Sequence, residues 1–98
     1  MTSPIAPVIA VPSTISRLDV LAAELAAHGW VARLEVPSHR LPRLHVQNPA
    51  APALSEYVYA QPRSDGTWTY WWPWAQPIAS SAAPAAAIII AALRSGDS

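Results

Sequence analysis

The chain has 98 residues, with six basic side chains balanced by six acidic ones and no cysteine. A neutral chain without a basic run lacks the stripe of cations that phosphate binding needs, so direct nucleic-acid contact is not expected. The missing cysteines exclude disulfides, thiolate chemistry and cysteine–zinc sites. Apolar residues make up 52% of the chain and charged ones only 12%, about half the usual ~25%, so an apolar surface for self-association or a partner is expected.

Taken in chain order, residues 1–12 come first. They lack a basic segment and carry Pro4, Pro7 and Pro12, which does not fit a secretory leader. The spaced prolines disfavour a helix and predict an extended, proline-rich arm. That arm reads either as a disordered tail or, because Ile5, Val8, Ile9 and Val11 are apolar, as an edge strand. The remainder, 13–95, reads as one α+β domain.

A first helix is signalled by Ser13, Thr14 or Ser16 as caps, with Asp19 completing a partial capping box. Leu18, Leu21, Ala22 and Leu25 form one apolar stripe, and Gly29 supplies the stop. His28, in the last turn, needs no role beyond favourable interaction with the helix dipole. Trp30 to Val36 then alternates, with Ala32 and Leu34 facing one way and Arg33 and Glu35 the other. Arg43 to Gln47 alternates again, with Leu44 and Val46 inward. Asn48 to Pro52 reads as a loop. Third and fourth strands are expected at Ser55–Ala60 and Thr67–Trp72, joined through Arg63-Ser64-Asp65-Gly66, because Asp-Gly is a strong hairpin signal. Pro73 ends the ladder. The last helix starts near Pro84 after Ser80 or Ser81 and runs to Arg94 without an earlier charge. A helix apolar all round is buried on more than one side, so Ile88, Ile89 and Ile90 are candidate interface residues. The expected order is α-β-β-β-β-α, a four-stranded antiparallel sheet with two helices.

Seven of the eight aromatic residues fall between Tyr57 and Trp74. With a turn loop of two or four residues, Tyr57 and Tyr59 share a face with Trp68, Tyr70 and Trp72. Val58 and Ala60 then share the opposite face with Thr69 and Trp71. An odd loop with a bulge would flip one strand against the other. The five-ring slab fits three roles: core of a small domain, dimer interface, or stacking platform for a peptide, sugar or other small ligand. Trp74, between prolines beyond the strand end, is either a lid on the core edge or an exposed anchor. The candidate binding set is therefore Tyr57, Tyr59, Trp68, Tyr70, Trp72 and Trp74.

No residue pattern specifies a cofactor, metal or catalytic site. His39 and His45 match no zinc-ligand spacing. Glu56 with His45 would make an acid–base pair only if the strands bring them together, and nothing beside them supplies a nucleophile or oxyanion hole. Arg40 and Arg43 offer a clamp for an acidic partner. Ala82 to Leu93 is too short to span a bilayer and contains Pro84, so a cytoplasmic protein without membrane contact is expected.

The phrases Val46-Gln47-Asn48-Pro49, Leu54-Ser55-Glu56, Asp65-Gly66-Thr67-Trp68, Trp71-Trp72-Pro73-Trp74 and Pro77-Ile78 resemble a group of small actinobacterial proteins of unassigned activity. Members of that group are often encoded beside helix-turn-helix regulators. The likeness covers about residues 15 to 94. It implies a regulatory accessory protein and gives no residue a role. The group's final helix opens with acidic residues before its proline and carries charges, whereas here Ser81-Ala82-Ala83 precede Pro84 and isoleucines follow. Together these features lead to the expectation of a non-enzymatic interaction module, partnered by a regulatory protein or by a second copy. The alternative is a binding domain for a small ligand or peptide.

Overall fold

The structure, a computed structural model, describes residues 6–94, with side chains described from residue 14 onward. Its elements run α1 (Ala6–Ala27), β1 (Val31–Glu35), β2 (Arg43–Asn48), β3 (Ala51–Pro62), β4 (Trp68–Trp71), β5 (Pro77–Ala79) and α2 (Ala82–Arg94). The five strands form one antiparallel meander in sequential order, β1-β2-β3-β4-β5. The fold is thus α+β, with one strand more than the sequence suggests. β5 has only three residues and opens on a proline, too short to leave a period-two signal.

The expected arm over residues 1–12 is corrected for the part that the structure describes. Helix α1 already begins at Ala6 and absorbs residues 6–12; residues 1–5 lie outside the described range. Pro7 falls in the first turn, where its missing N–H has no helical acceptor. Pro12 removes one backbone hydrogen bond from the second turn but leaves the ladder on either side of it.

From Thr14 onward α1 presents one face to the sheet. Thr14 is buried, and Leu18, Leu21 and Leu25 are fully covered. Burial of each leucine contributes about 1.5–3 kcal/mol. The helix closes through backbone bonds from Gly29 to the Ala26 carbonyl and from Trp30 to the Leu25 carbonyl. This pattern requires a left-handed residue, and Gly29 supplies it at φ 79°. Trp30, just past the stop, packs back on the core that holds Leu25.

Both helices cover the same face of the sheet. That face carries Ala32 and Leu34 from β1, Leu44 and Val46 from β2, Val58 and Ala60 from β3, Tyr70 from β4 and Ile78 from β5. Helix α2 meets it with Ala85, Ala86 and Ile89, all fully buried. Alanines at this contact let the helix backbone approach the sheet closely. The Ala85 amide bonds to the Ser81 carbonyl, which makes Ser81 the entry residue of the helix. At the other end of α2, Asn48 joins helix to sheet. Its Nδ2 donates to the carbonyls of Leu93 and Arg94, and its Oδ1 accepts from the Ala50 amide in the β2–β3 turn. The segment after Asn48 is therefore a tight turn that enters β3 at Ala51, not a five-residue loop. The ladder shifts register between Gln47 and Asn48, which accommodates Pro52 where no ladder donor is needed.

Among the described residues no helix is long and apolar enough to cross a membrane.

Candidate functional site

The register of the β3–β4 hairpin decides which rings are available. Tyr59 pairs with Trp71, Ala60 with Tyr70, Gln61 with Thr69 and Pro62 with Trp68. Tyr57 and Tyr59 therefore share a face with Thr69 and Trp71, while Val58 and Ala60 share theirs with Trp68, Tyr70 and Trp72. This reverses the even-loop expectation. The physical cause is the turn: Arg63 donates to the Thr67 carbonyl and Gly66 to the Arg63 carbonyl, which leaves a three-residue loop, Ser64-Asp65-Gly66. Gly66 sits at φ 91°, the left-handed position that closes a type I turn with a bulge.

The ring slab is thus divided between two environments. Tyr70 and Trp72 belong to the core, at 5% and 7% exposure. The Tyr70 hydroxyl donates to the Arg17 carbonyl at 2.6 Å, which satisfies the polar end of a buried ring. Burial raises its pKa, against a smaller lowering effect from Arg17. Trp68 is half-buried on the same side, with the Arg17 guanidinium 4.7 Å above it. Trp74 is 57% exposed and lies flat on Trp72, with centroids 5.2 Å apart and 6° between planes. It covers a core ring and is itself exposed. The isoleucines also separate: Ile89 is buried, Ile90 half-buried and Ile88 43% exposed.

Among the described residues no helix covers the opposite face of the sheet. Cross-strand rows on that face run Arg33–His45–Tyr57 and Glu35–Arg43, continuing through Tyr59 to Trp71. Tyr57, Tyr59 and Trp71 are all partly exposed. The Arg43 guanidinium lies 4.1 Å over the Tyr57 ring, and its Nε donates to Glu35 Oε1 at 2.9 Å. These contacts hold the Arg43 pKa further above its already high value, with Glu35 the largest cause and Tyr59 the second. His45 is the cross-strand neighbour of Tyr57, with ring centroids 4.9 Å apart. Arg63 donates to Thr69 Oγ1 and stands 5.9 Å over Trp71.

A groove of about 860 Å³ opens at the upper end of this face. Tyr59, Gln61 and Trp71 form its floor. The β1–β2 loop, with His39 and Arg40, makes one wall, and the turn after β4, with Pro73 and Ala75, makes the other. Trp71 Nε1 is the one buried side-chain polar atom without a hydrogen-bond partner among the described residues. Leaving such a donor unpaired costs about 1–3 kcal/mol, and it belongs to the ring at the floor of the groove. The far wall is strained as well, since Ala75 sits at φ 67° without being glycine.

Of the six rings expected to bind, Tyr57 and Tyr59 reach the open face, Trp74 stands exposed at the rim, and Trp68, Tyr70 and Trp72 turn toward the helices. Trp71, which the even-loop register assigned to the small-residue face, is the ring that replaces them. Asp65-Gly66 in the sequence fits an even or an odd loop alike, so no sequence signal singles out Trp71. His45 and Glu56 lie on opposite faces, because His45 pairs with Tyr57 and Glu56 with Val46; they do not form an acid–base pair. Among the described residues no group of three His, Cys, Asp or Glu side chains is placed to hold a metal ion. No protein-family model, curated protein or solved structure matches the chain.

Proposed function

We propose that this domain is a non-catalytic protein-interaction module, a cytoplasmic regulatory accessory protein, whose working surface is the open face of the sheet. The observation that carries this reading is the content of that face: Tyr57, Tyr59 and Trp71 stand partly exposed among Arg33, Arg43 and Arg63, beside the groove. Tyrosine, tryptophan and arginine are the types that dominate binding energy at protein interfaces. The rings are also held in place, by guanidinium contacts and ladder pairing, so little side-chain entropy remains to be lost on binding. The resemblance of the Asn48-Pro49 and Trp71-Trp72-Pro73-Trp74 phrases to proteins encoded beside helix-turn-helix regulators makes a regulatory protein the partner to seek.

A site-specific photo-crosslinker tests this in the cells that make the protein. Placed at Tyr57, it is expected to give a discrete adduct; placed at Val20, on the outer side of α1, it is not. Adducts from the helical side alone would overturn the reading.

A second reading, a homodimer through α2, is favoured by the outer face of that helix. Ala87, Ile88, Ala91 and Ala92 are exposed there, and the helix has no charge before Arg94. Light scattering across a concentration series separates the two: a dimer dissolved by Ile88→Glu supports it, and a monomer at every concentration removes it.

A further inference from the structure

We infer that the open face takes an acidic, extended polypeptide segment, an inference that rests on the sheet-face interaction proposed above and names its partner chemistry. Charge is unevenly distributed over the molecule. Arg33, Arg40, Arg43 and Arg63, four of the chain's six cations, lie on the open face or line its groove. Among the described residues only Glu35 and Asp65 accompany them, and both are engaged. Glu35 accepts from Arg43 at 2.9 Å. Asp65 accepts from the amide and hydroxyl of Thr67 at 3.0 and 2.7 Å, which hold its pKa below the ordinary value, the hydroxyl first. Asp19 and Glu24 stand on α1, and Glu56 points to the helical side of the sheet. Among the described residues the face that carries the rings is thus cationic.

The groove has the same bias. Among the described residues no aspartate or glutamate lines it, whereas Arg40 and His39 do. Arg33 and Arg40 are exposed and make no ion pair among the described residues, so both are free to receive carboxylates. A guanidinium fork matches a carboxylate in two parallel hydrogen bonds, a geometry lysine lacks, and every cation in this chain other than histidine is arginine.

The spread of these cations sets the size of the occupant. At about 3.3 Å per residue along a strand and about 4.8 Å between strands, Arg33 and Arg63 lie roughly 20 Å apart. That distance matches roughly six residues of extended chain and is too long for one small carboxylate. Nucleic acid fits less well. Arg43 covers Tyr57 and Arg63 covers Trp71, so each ring has one face occupied by a guanidinium where a base would stack.

The test uses the full chain and a synthetic peptide of about ten residues in which Asp and Glu alternate with Leu and Pro. The matched control carries Asn and Gln at the acidic positions. Tryptophan fluorescence reads affinity, and amide chemical shifts read location. The acidic peptide is expected to bind with a Kd below about 1 mM, at least about tenfold tighter than its amide control, and to shift Arg33, Tyr57, Tyr59 and Trp71. Affinity is expected to fall severalfold between about 50 and about 200 mM salt. Arg33→Gln and Arg40→Gln, both at exposed positions, should each weaken binding about three- to tenfold while leaving the near-ultraviolet spectrum unchanged. Equal affinity for the two peptides on this face would overturn the acidic preference and leave the sheet-face reading standing. Shifts confined to the helices would overturn both. No binding of the acidic peptide at about 1 mM, or tighter binding of a single-stranded oligonucleotide, would overturn the inference alone. If crosslinks from Tyr57 report a second copy of the chain, the occupant is the protein itself and the inference also fails.

Discussion

Two turns of the same geometry flank β4, and they are built from different residues. In the first, Gly66 donates to the Arg63 carbonyl and Arg63 to the Thr67 carbonyl, at 3.0 and 2.6 Å. In the second, Ala75 donates to the Trp72 carbonyl and Trp72 to the Gln76 carbonyl, at 3.0 and 2.9 Å. The left-handed position is Gly66 at φ 91° in one and Ala75 at φ 67° in the other. The residue before it bonds to the residue after it in both cases: Thr67 donates to Asp65, and Trp74 Nε1 donates to Gln76 Oε1 at 2.8 Å. The first turn uses the residues that hairpin geometry prefers. The second puts a Cβ into a region that costs an L-residue about 1–2 kcal/mol, and it places an indole where the first has a carboxylate. The first turn sets the register. The second forms a wall of the groove, and its preference for Ala and Trp over Gly and Asp carries a stability cost at the surface proposed to bind.

Substitutions at the two left-handed positions distinguish the turns. The largest effect is expected from Gly66→Val, because a β-branched residue is a severe outlier at positive φ. A loss of about 2 kcal/mol or more is expected, while Ala75→Val should cost less, since the alanine already bears part of the strain. Urea unfolding measures both, and equal losses would show that the turns are not equivalent. Next comes Gly66→Ala, at about 1 kcal/mol. A Cβ built there meets nothing within 4 Å, so the measured loss reports backbone conformation alone. Ala75→Gly should act in the opposite direction, raising stability by about 0.5–1 kcal/mol and Tm by roughly 2–8 °C. A loss instead would mean that contacts of the methyl group in the groove outweigh the strain.

The smallest effect concerns pH. Thr67 holds the Asp65 carboxyl below its ordinary value, through its hydroxyl first and its amide second. A carboxyl with a depressed folded-state pKa contributes stability above its unfolded value of about 3.9, and that contribution is lost as pH falls through the folded value. Asp65→Asn should therefore flatten the stability profile below about pH 4. The second turn, with Trp74 in the corresponding place, offers no such group, and Trp74→Ala should leave the acid limb unchanged.

The same pair of turns marks the limit of what was legible in the sequence. The stripe of α1, the uncharged run of α2, four strands and the position of the first turn follow from periodicity, capping residues and Asp-Gly. The side of the sheet to which each ring belongs does not, because Trp68, Tyr70, Trp71 and Trp72 put large aromatics at both parities of β4. With rings at both parities of the segment 68–72, hydrophobic alternation cannot choose the register, and one residue of loop length decides it. Composition also obscured the N-terminal turns of α1, where Pro7 and Pro12 argue against a helix that runs through them. Asn48 reads as loop punctuation before Pro49, yet it is buried and holds the last carbonyls of α2. No local signal reports a partner so far along the chain.

The uneven placement of the arginines has a consequence for rates. Among the described residues the charges are unevenly placed: Arg33, Arg40, Arg43 and Arg63 outnumber Glu35 and Asp65 on one side, and Asp19, Glu24 and Glu56 outnumber Arg17 and Arg94 on the other, which gives the domain an electric dipole. A charged body approaching within a Debye length of about 8–10 Å exerts a torque on such a molecule before contact. Encounters with an anionic surface are then biased in angle rather than in number, with the ring-bearing face turned forward. The first thing added salt removes is that orientation, so the association rate should decline before the dissociation rate responds.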